Sequence, residues 1–186
     1  MSFLELPPDL PVPEDDGAAD HLVGTRIPRL ELPTTDGFGT DLAELAQGKL
    51  VVYAYPRTGR PGEALPAGWD DIPGARGCTP QSCAFRDHHA EIAALGARVI
   101  GLSAQTTAYQ AEVAERLGLP YPLASDPILT VAEALRLPTF EVEGIGRLYK
   151  RLTFIARAGV IEKVLYPVFP PGSDAEEVVQ WLTRQR

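Results

Sequence analysis

The sequence predicts an α/β fold of three layers, with a central sheet that is mostly parallel early and ends in an antiparallel hairpin. Three observations carry this expectation. Apolar β-branched runs alternate along the chain with segments of helical period. Two strand-like runs near the C-terminus flank an Ala-Gly turn. The 186 residues, 45% hydrophobic and 23% charged, suit a single domain with a core that needs no staples.

The segments run in this order. MSFLELPPDLPVPEDDGAAD (1–20) is acidic and proline-rich and reads as a flexible tail or strap ahead of a domain spanning 21–186. It lacks the basic and apolar regions of a signal peptide. RIPRLELPTTDGFGTDLAEL (26–45) mixes a short apolar stretch, a D-G turn and a short helical piece. KLVVYAYP (49–56) is a buried strand stopped by proline. The next stretch, RTGRPGEALPAGWDDIPGARG (57–77), has no periodicity and is rich in Gly and Pro. A loop of that length inside a compact domain is functional or disordered. It leads directly into Cys78 and carries Trp69 to pack with, so it reads as an ordered functional loop.

TPQSCAFRDHHAEIAAL (79–95) is helical, with Thr79 or Cys78 as the cap and Pro80 in the first turn, where its missing N–H costs nothing. ARVIGLSA (97–104) is a second buried strand, and AYQAEVAERLGL is a helix ending at Gly118. DPILTVAEALRL (126–137) reads as a third helix. LYKRLTFIARAGVIEKVLY (148–166) is the hairpin, and DAEEVVQWLTRQR closes the chain as an amphipathic helix with acids in its first turn.

Net charge is −8 and the basic residues are scattered, which argues against a nucleic-acid or anionic-membrane partner. No apolar run approaches membrane-spanning length. With no export signal, the expected compartment is the cytoplasm.

The only two cysteines, Cys78 and Cys83, stand five apart in GARGCTPQSCAFRD (74–87). A metal knuckle, a structural disulfide and a reactive thiol with a trap all compete for them. In a reducing compartment a close pair is more often redox-active or metal-binding than structural. His88 and His89 complete a Cys–Cys–His–His set, but on one helix Cys78 and His88 are roughly 15 Å apart. Zinc, with ligands about 2.0–2.3 Å from the metal, does not fit that span unless the helix is wrong. The thiolate is the nucleophilic form of cysteine, and a helix N-terminus with arginine nearby favours it. Cys78 has that setting, with Arg76 two residues before it. On an ideal helix the Cα atoms of Cys78 and Cys83 are about 8–9 Å apart, beyond the roughly 4.4–6.8 Å of a disulfide. Bridging therefore requires the first turn to unwind, as suits a second thiol that reacts only after the first is oxidised.

VVYAYP, GCTPQSCAFRD at a helix start, VIGLS, YPLASD and RLTFIARAGVI together resemble the peroxiredoxins, most closely the peroxiredoxin Q (bacterioferritin comigratory protein) subgroup. The matching pieces run in family order from about residue 24 to 166. The resemblance implies a thioredoxin-like three-layer α/β/α sandwich with a central mixed sheet. It implies thiol-dependent reduction of hydrogen peroxide and organic hydroperoxides, with regeneration by a thioredoxin-like reductant protein, in a monomer or homodimer. No metal, haem or flavin is required. Cys78 matches the peroxidatic cysteine, Cys83 the resolving cysteine, and Arg151 the arginine that bonds the thiolate and the peroxide oxygens. The alternative is a thioredoxin-fold sensing or regulatory module with little peroxidase turnover.

One position departs from the family pattern P-x-x-x-T-x-x-C. Ala75 stands three residues before Cys78 and has no hydroxyl. Pro56 ends the matching strand, and Thr58 follows it across the start of the long loop. Thr58 is therefore the candidate to supply the missing hydroxyl.

Overall fold

A computed structural model describes residues 6–185. In chain order the elements are β1 (Glu31–Leu32), β2 (Thr40–Asp41), α1 (Leu42–Leu45), β3 (Lys49–Ala54) and α2 (Cys78–Ala94). Then come β4 (Ala97–Ser103), α3 (Thr107–Leu117), β5 (Leu123–Ser125), α4 (Thr130–Leu135), β6 (Thr139–Val142) and β7 (Gly146–Tyr149). The chain ends with β8 (Leu152–Arg157), β9 (Val160–Leu165) and α5 (Ser173–Arg184).

Five strands form the central sheet in the order β5-β4-β3-β8-β9. β3, β4 and β5 are mutually parallel, while β8 runs antiparallel to β3 and pairs with β9. This is the mixed sheet with a late hairpin that the sequence predicts. β3 shows why the sheet has two covered faces. Alternate side chains point to opposite sides, so Val51, Tyr53 and Tyr55 join the core beneath α2 and α5. Leu50, Val52 and Ala54 join the core beneath α1 and α4. All six are fully buried, which is why the run is continuously apolar rather than alternating. On the first face, Phe85 of α2 stacks on Tyr53 with ring centroids 4.5 Å apart. Ile92 of α2 and Val178 and Leu182 of α5 complete that layer.

Two local expectations change. The segment DPILTVAEALRL is helical only from Thr130, because the Asp126 carboxylate accepts from the N–H groups of Thr130 (2.7 Å) and Val131 (2.8 Å). Asp126 thus caps the helix from outside, with Leu129 left-handed between them (φ 59°). The sequence reading also missed the small hairpin of β6 and β7, whose register pairs Thr139 with Tyr149.

Residues 1–5 of the acidic N-terminal segment lie outside the described residues. Further on, Asp16 meets Lys150 Nζ at 2.6 Å and accepts from the Tyr166 hydroxyl at 2.8 Å. The Lys150 contact, helped by the Tyr166 bond, lowers the Asp16 pKa to about 2. Ala19 and Leu22 are buried in the core. No helix among the described residues is long and apolar enough to cross a membrane.

Candidate active site

Cys78 is the first residue of α2. The residue before it, Gly77, sits in the left-handed region (φ 103°) and no side chain caps the helix. Neither Cys78 nor Thr79 is the cap, contrary to the sequence expectation. The chain enters the helix through a backbone turn that only glycine tolerates. A Cβ on Gly77 would also lie 2.3–2.4 Å from Pro171 side-chain atoms. The sulfur is consequently held at the start of α2, where the first N–H groups have no acceptor within the helix.

Cys78 is 3% exposed. Arg151, which immediately precedes β8, is buried beside it and donates from Nη2 to Sγ at 3.3 Å. The same nitrogen reaches the carbonyls of Gly74 (3.2 Å), Ala75 (3.3 Å) and Arg76 (2.9 Å), so the guanidinium also ties down the end of the long loop. Arg151 Nη1 donates to Gln81 Oε1. Arg151 Nε is buried with no hydrogen-bond partner among the described residues, a spare donor in the cation that touches the sulfur.

The support behind the arginine escaped the sequence reading. Gln81 Nε2 donates to Asp174 Oδ2 at 2.6 Å, and the same oxygen accepts from the Thr153 hydroxyl at 2.6 Å. Burial pushes the Asp174 carboxyl above the ordinary carboxylate value, opposed by those two hydrogen bonds and by the Arg151 charge. A chain of buried contacts therefore runs from α5 through Gln81 to Arg151 and Cys78. Gln81 lies one helical turn past Cys78 on the same face, a spacing that hinted at it. Asp174 gave no such hint, since an acid in a first helical turn needs no other explanation.

Cys83 lies on the second turn of α2, is buried, and its thiol pKa is raised by that burial. Both cysteines are free thiols. Around them the helix is pinned: Ser82 Oγ accepts from the Tyr53 hydroxyl (3.1 Å) and Ser82 O from the Tyr121 hydroxyl (2.7 Å). The Thr58 hydroxyl is bonded to Gln105. It donates to Gln105 Oε1 at 3.0 Å, and the Thr58 N–H donates to the same oxygen at 2.8 Å. Gln105 has claimed both donors. The structure thus joins Cys78 with Arg151, keeps Cys83 on the same helix, and bonds Thr58 to Gln105. His88 pairs with Glu91 at 2.6 Å, and the described residues hold no group of three or more His, Cys, Asp or Glu placed to bind a metal ion.

A free thiol at a helix start, bonded by a buried arginine beside a mixed sheet, is the kind of site that thiol-redox proteins carry. The sequence model of the Redoxin family matches residues 22–180. The chain is 33% identical over 141 residues to peroxiredoxin bcp1 of Schizosaccharomyces pombe, covering 74% of this chain but only 63% of that protein. It is 32% identical over 160 residues to putative peroxiredoxin bcp of Coxiella burnetii, covering 84% of this chain and 95% of that protein. The crystal structure of peroxidoxin BcpB from Mycobacterium tuberculosis matches with a TM-score of 0.72 and 28% identity, covering 88% of this chain and 97% of that one. The chain belongs to the redoxin family, among the peroxiredoxins of the Q/Bcp kind, and its fold is the thioredoxin-like sandwich.

Proposed function

We propose that the protein is a two-cysteine, thiol-dependent peroxidase that reduces hydrogen peroxide and organic hydroperoxides. The observation that carries this reading is the 3.3 Å contact from Arg151 Nη2 to Cys78 Sγ at the first residue of α2. The Cys78 thiolate attacks one peroxide oxygen. The S–O bond forms as the O–O bond breaks, and the departing oxygen takes a proton and leaves as water or an alcohol. Cys78 becomes a sulfenic acid. Arg151, with its spare Nε donor, and the N–H groups of the first turn stabilise the charge that builds on the leaving oxygen. The Cys83 thiolate then attacks Cys78 Sγ, expelling hydroxide, which is protonated to water, and a disulfide forms. An external dithiol of the thioredoxin type reduces the bridge by exchange and is itself oxidised.

Arg151 is the electrostatic partner, Cys78 the peroxidatic thiol and Cys83 the resolving thiol. Thr58 was a candidate hydroxyl for the site, but its bond to Gln105 supports a part in holding the loop. A cytoplasmic location suits this cycle, because the pair must return to thiols after each turnover.

The test uses intact mass and a free-thiol count before and after one equivalent of hydrogen peroxide. Loss of two hydrogens and of both thiols is expected, followed by sustained peroxide consumption once thioredoxin, its reductase and NADPH are added. In Cys78→Ser no consumption should occur at any reductant concentration. Substantial turnover in that variant would sink the mechanism.

A further inference from the structure

We propose that the loop 57–77 is a size gate over Cys78, one that favours hydrogen peroxide and small primary hydroperoxides over those branched at the carbon bearing oxygen. The proposal rests on the peroxidase reading above and narrows its substrate class. The cleft that reaches Cys78 has a volume of about 10 Å³, no more than about one water molecule occupies. The loop lines it with Arg57, Leu65, Trp69 and Arg76, and the start of α2 lines it with Cys78 and Thr79. Cys78 is only 3% exposed, and this cleft is where its surface is reached.

The loop's share of the lining is anchored. Trp69 is 3% exposed and packs with Ala75, Val142 and Leu148, its ring 6.4 Å from that of Phe140. Arg76 pairs with Asp70 at 3.3 Å within the loop. At the other end, Arg60 lies 4.0 Å over the Tyr109 ring, and Arg116 Nη2 donates to the Gly59 carbonyl at 3.0 Å. Widening the cleft therefore means disturbing buried apolar packing on the β6–β7 hairpin together with these ties to α3. A loop that folded only against itself would yield more easily.

The chemistry says which substrates feel the restriction. The attacked oxygen must come to about 3–3.5 Å from the sulfur, so the second oxygen and the carbon attached to it lie in the mouth. A primary carbon brings a single chain through the opening, and a long tail trails into solvent. A tertiary carbon brings three branches to the narrowest point. The penalty thus follows branching at that carbon rather than overall length, which distinguishes a gate from a simple dislike of apolar substrates.

The experiment measures the second-order rate of first oxidation by quenched-flow loss of free thiol with hydrogen peroxide, ethyl hydroperoxide and tert-butyl hydroperoxide. Each rate is divided by that of the same peroxide with a small free thiol, to remove intrinsic reactivity. The wild type is expected to favour the first two over the third by about tenfold or more, in the range that one misfitting carbon costs in a tight pocket. Trp69→Ala should reduce that ratio severalfold, and so should the milder Leu65→Ala, which trims the wall at a partly buried residue and keeps the tryptophan itself. The ratio is the readout because loss of active protein cancels from it. Equal normalised rates for hydrogen peroxide and tert-butyl hydroperoxide in the wild type would overturn the gate, as would an unchanged ratio in both variants. Thiol oxidation by none of the three would instead remove the peroxidase reading itself.

Discussion

At Cys78 the sulfur has two bonding neighbours. The thiol donates to the Ala75 carbonyl at 3.7 Å, a weak bond, while Arg151 Nη2 donates to Sγ from 3.3 Å. Hydrogen bonds to a charged group are worth about 1.5–3 kcal/mol, so Arg151→Ala should lower the second-order rate with peroxide by about tenfold or more. Arg151→Lys should recover only part of it, since an ammonium supplies charge without the fork that spans Sγ, Gln81 and three carbonyls. A rate equal to the wild type in Arg151→Ala would mean the arginine does not act on the reaction. Cys78, Cys83 and Arg151 were legible because each sits in a short local string. Gln81 and Asp174 were not paired in advance, because they are 93 positions apart and only the packing of α5 on α2 joins them.

The element that matters most is α2, because five residues of intact helix keep Cys78 and Cys83 too far apart to bridge. The structure shows what must break before they can. Gln81 releases Asp174 and Arg151, and Ser82 releases Tyr53 and Tyr121. At about 1 kcal/mol for each buried bond, the opened turn is a minor state while Cys78 is reduced. Burial raises the Cys83 pKa, so opening also lessens the burial that holds the proton on that thiol. In the proposed cycle resolution waits for that opening, and over-oxidation of the sulfenic acid competes during the wait. In Cys83→Ser, excess peroxide should drive Cys78 to sulfinic acid, read by mass as a gain of two oxygens. In the wild type, amide exchange across residues 78–86 should be faster in the oxidised protein. Identical protection in both redox states would count against an unwinding helix. The sequence exposed this requirement because spacing on a helix is pure geometry. It concealed α4's late start and the β6–β7 hairpin, where the Asp126 carboxylate four residues upstream of Thr130 and packing against the loop override the apolar pattern.

Across the whole molecule, one carboxyl joins the layers. Asp174 on α5 binds Thr153 on β8 and Gln81 on α2, and it is 1% exposed. Its pKa stands above the ordinary carboxylate value because burial disfavours the charge more than its partners restore it. The folded protein therefore holds this proton more tightly than the unfolded chain does. At a pH below the ordinary carboxylate value both states carry the proton and the group has no effect on stability. As pH rises through that value the unfolded chain ionises freely, while the folded protein must either keep the proton or place a charge in the core. Stability from this group falls across the window and levels off once pH passes the folded value. Asparagine has no proton to lose. Urea unfolding of wild type and Asp174→Asn, from about pH 4 to about pH 7, should thus show the wild type losing ground to the variant as pH rises. The comparison concerns the slope, so a uniform offset from altered hydrogen bonding at Gln81 and Thr153 does not disturb it. Parallel curves would mean that Asp174 titrates alike in both states. A wild type that gains on the variant with rising pH would mean that the Arg151 charge, reaching Asp174 through Gln81, outweighs its burial.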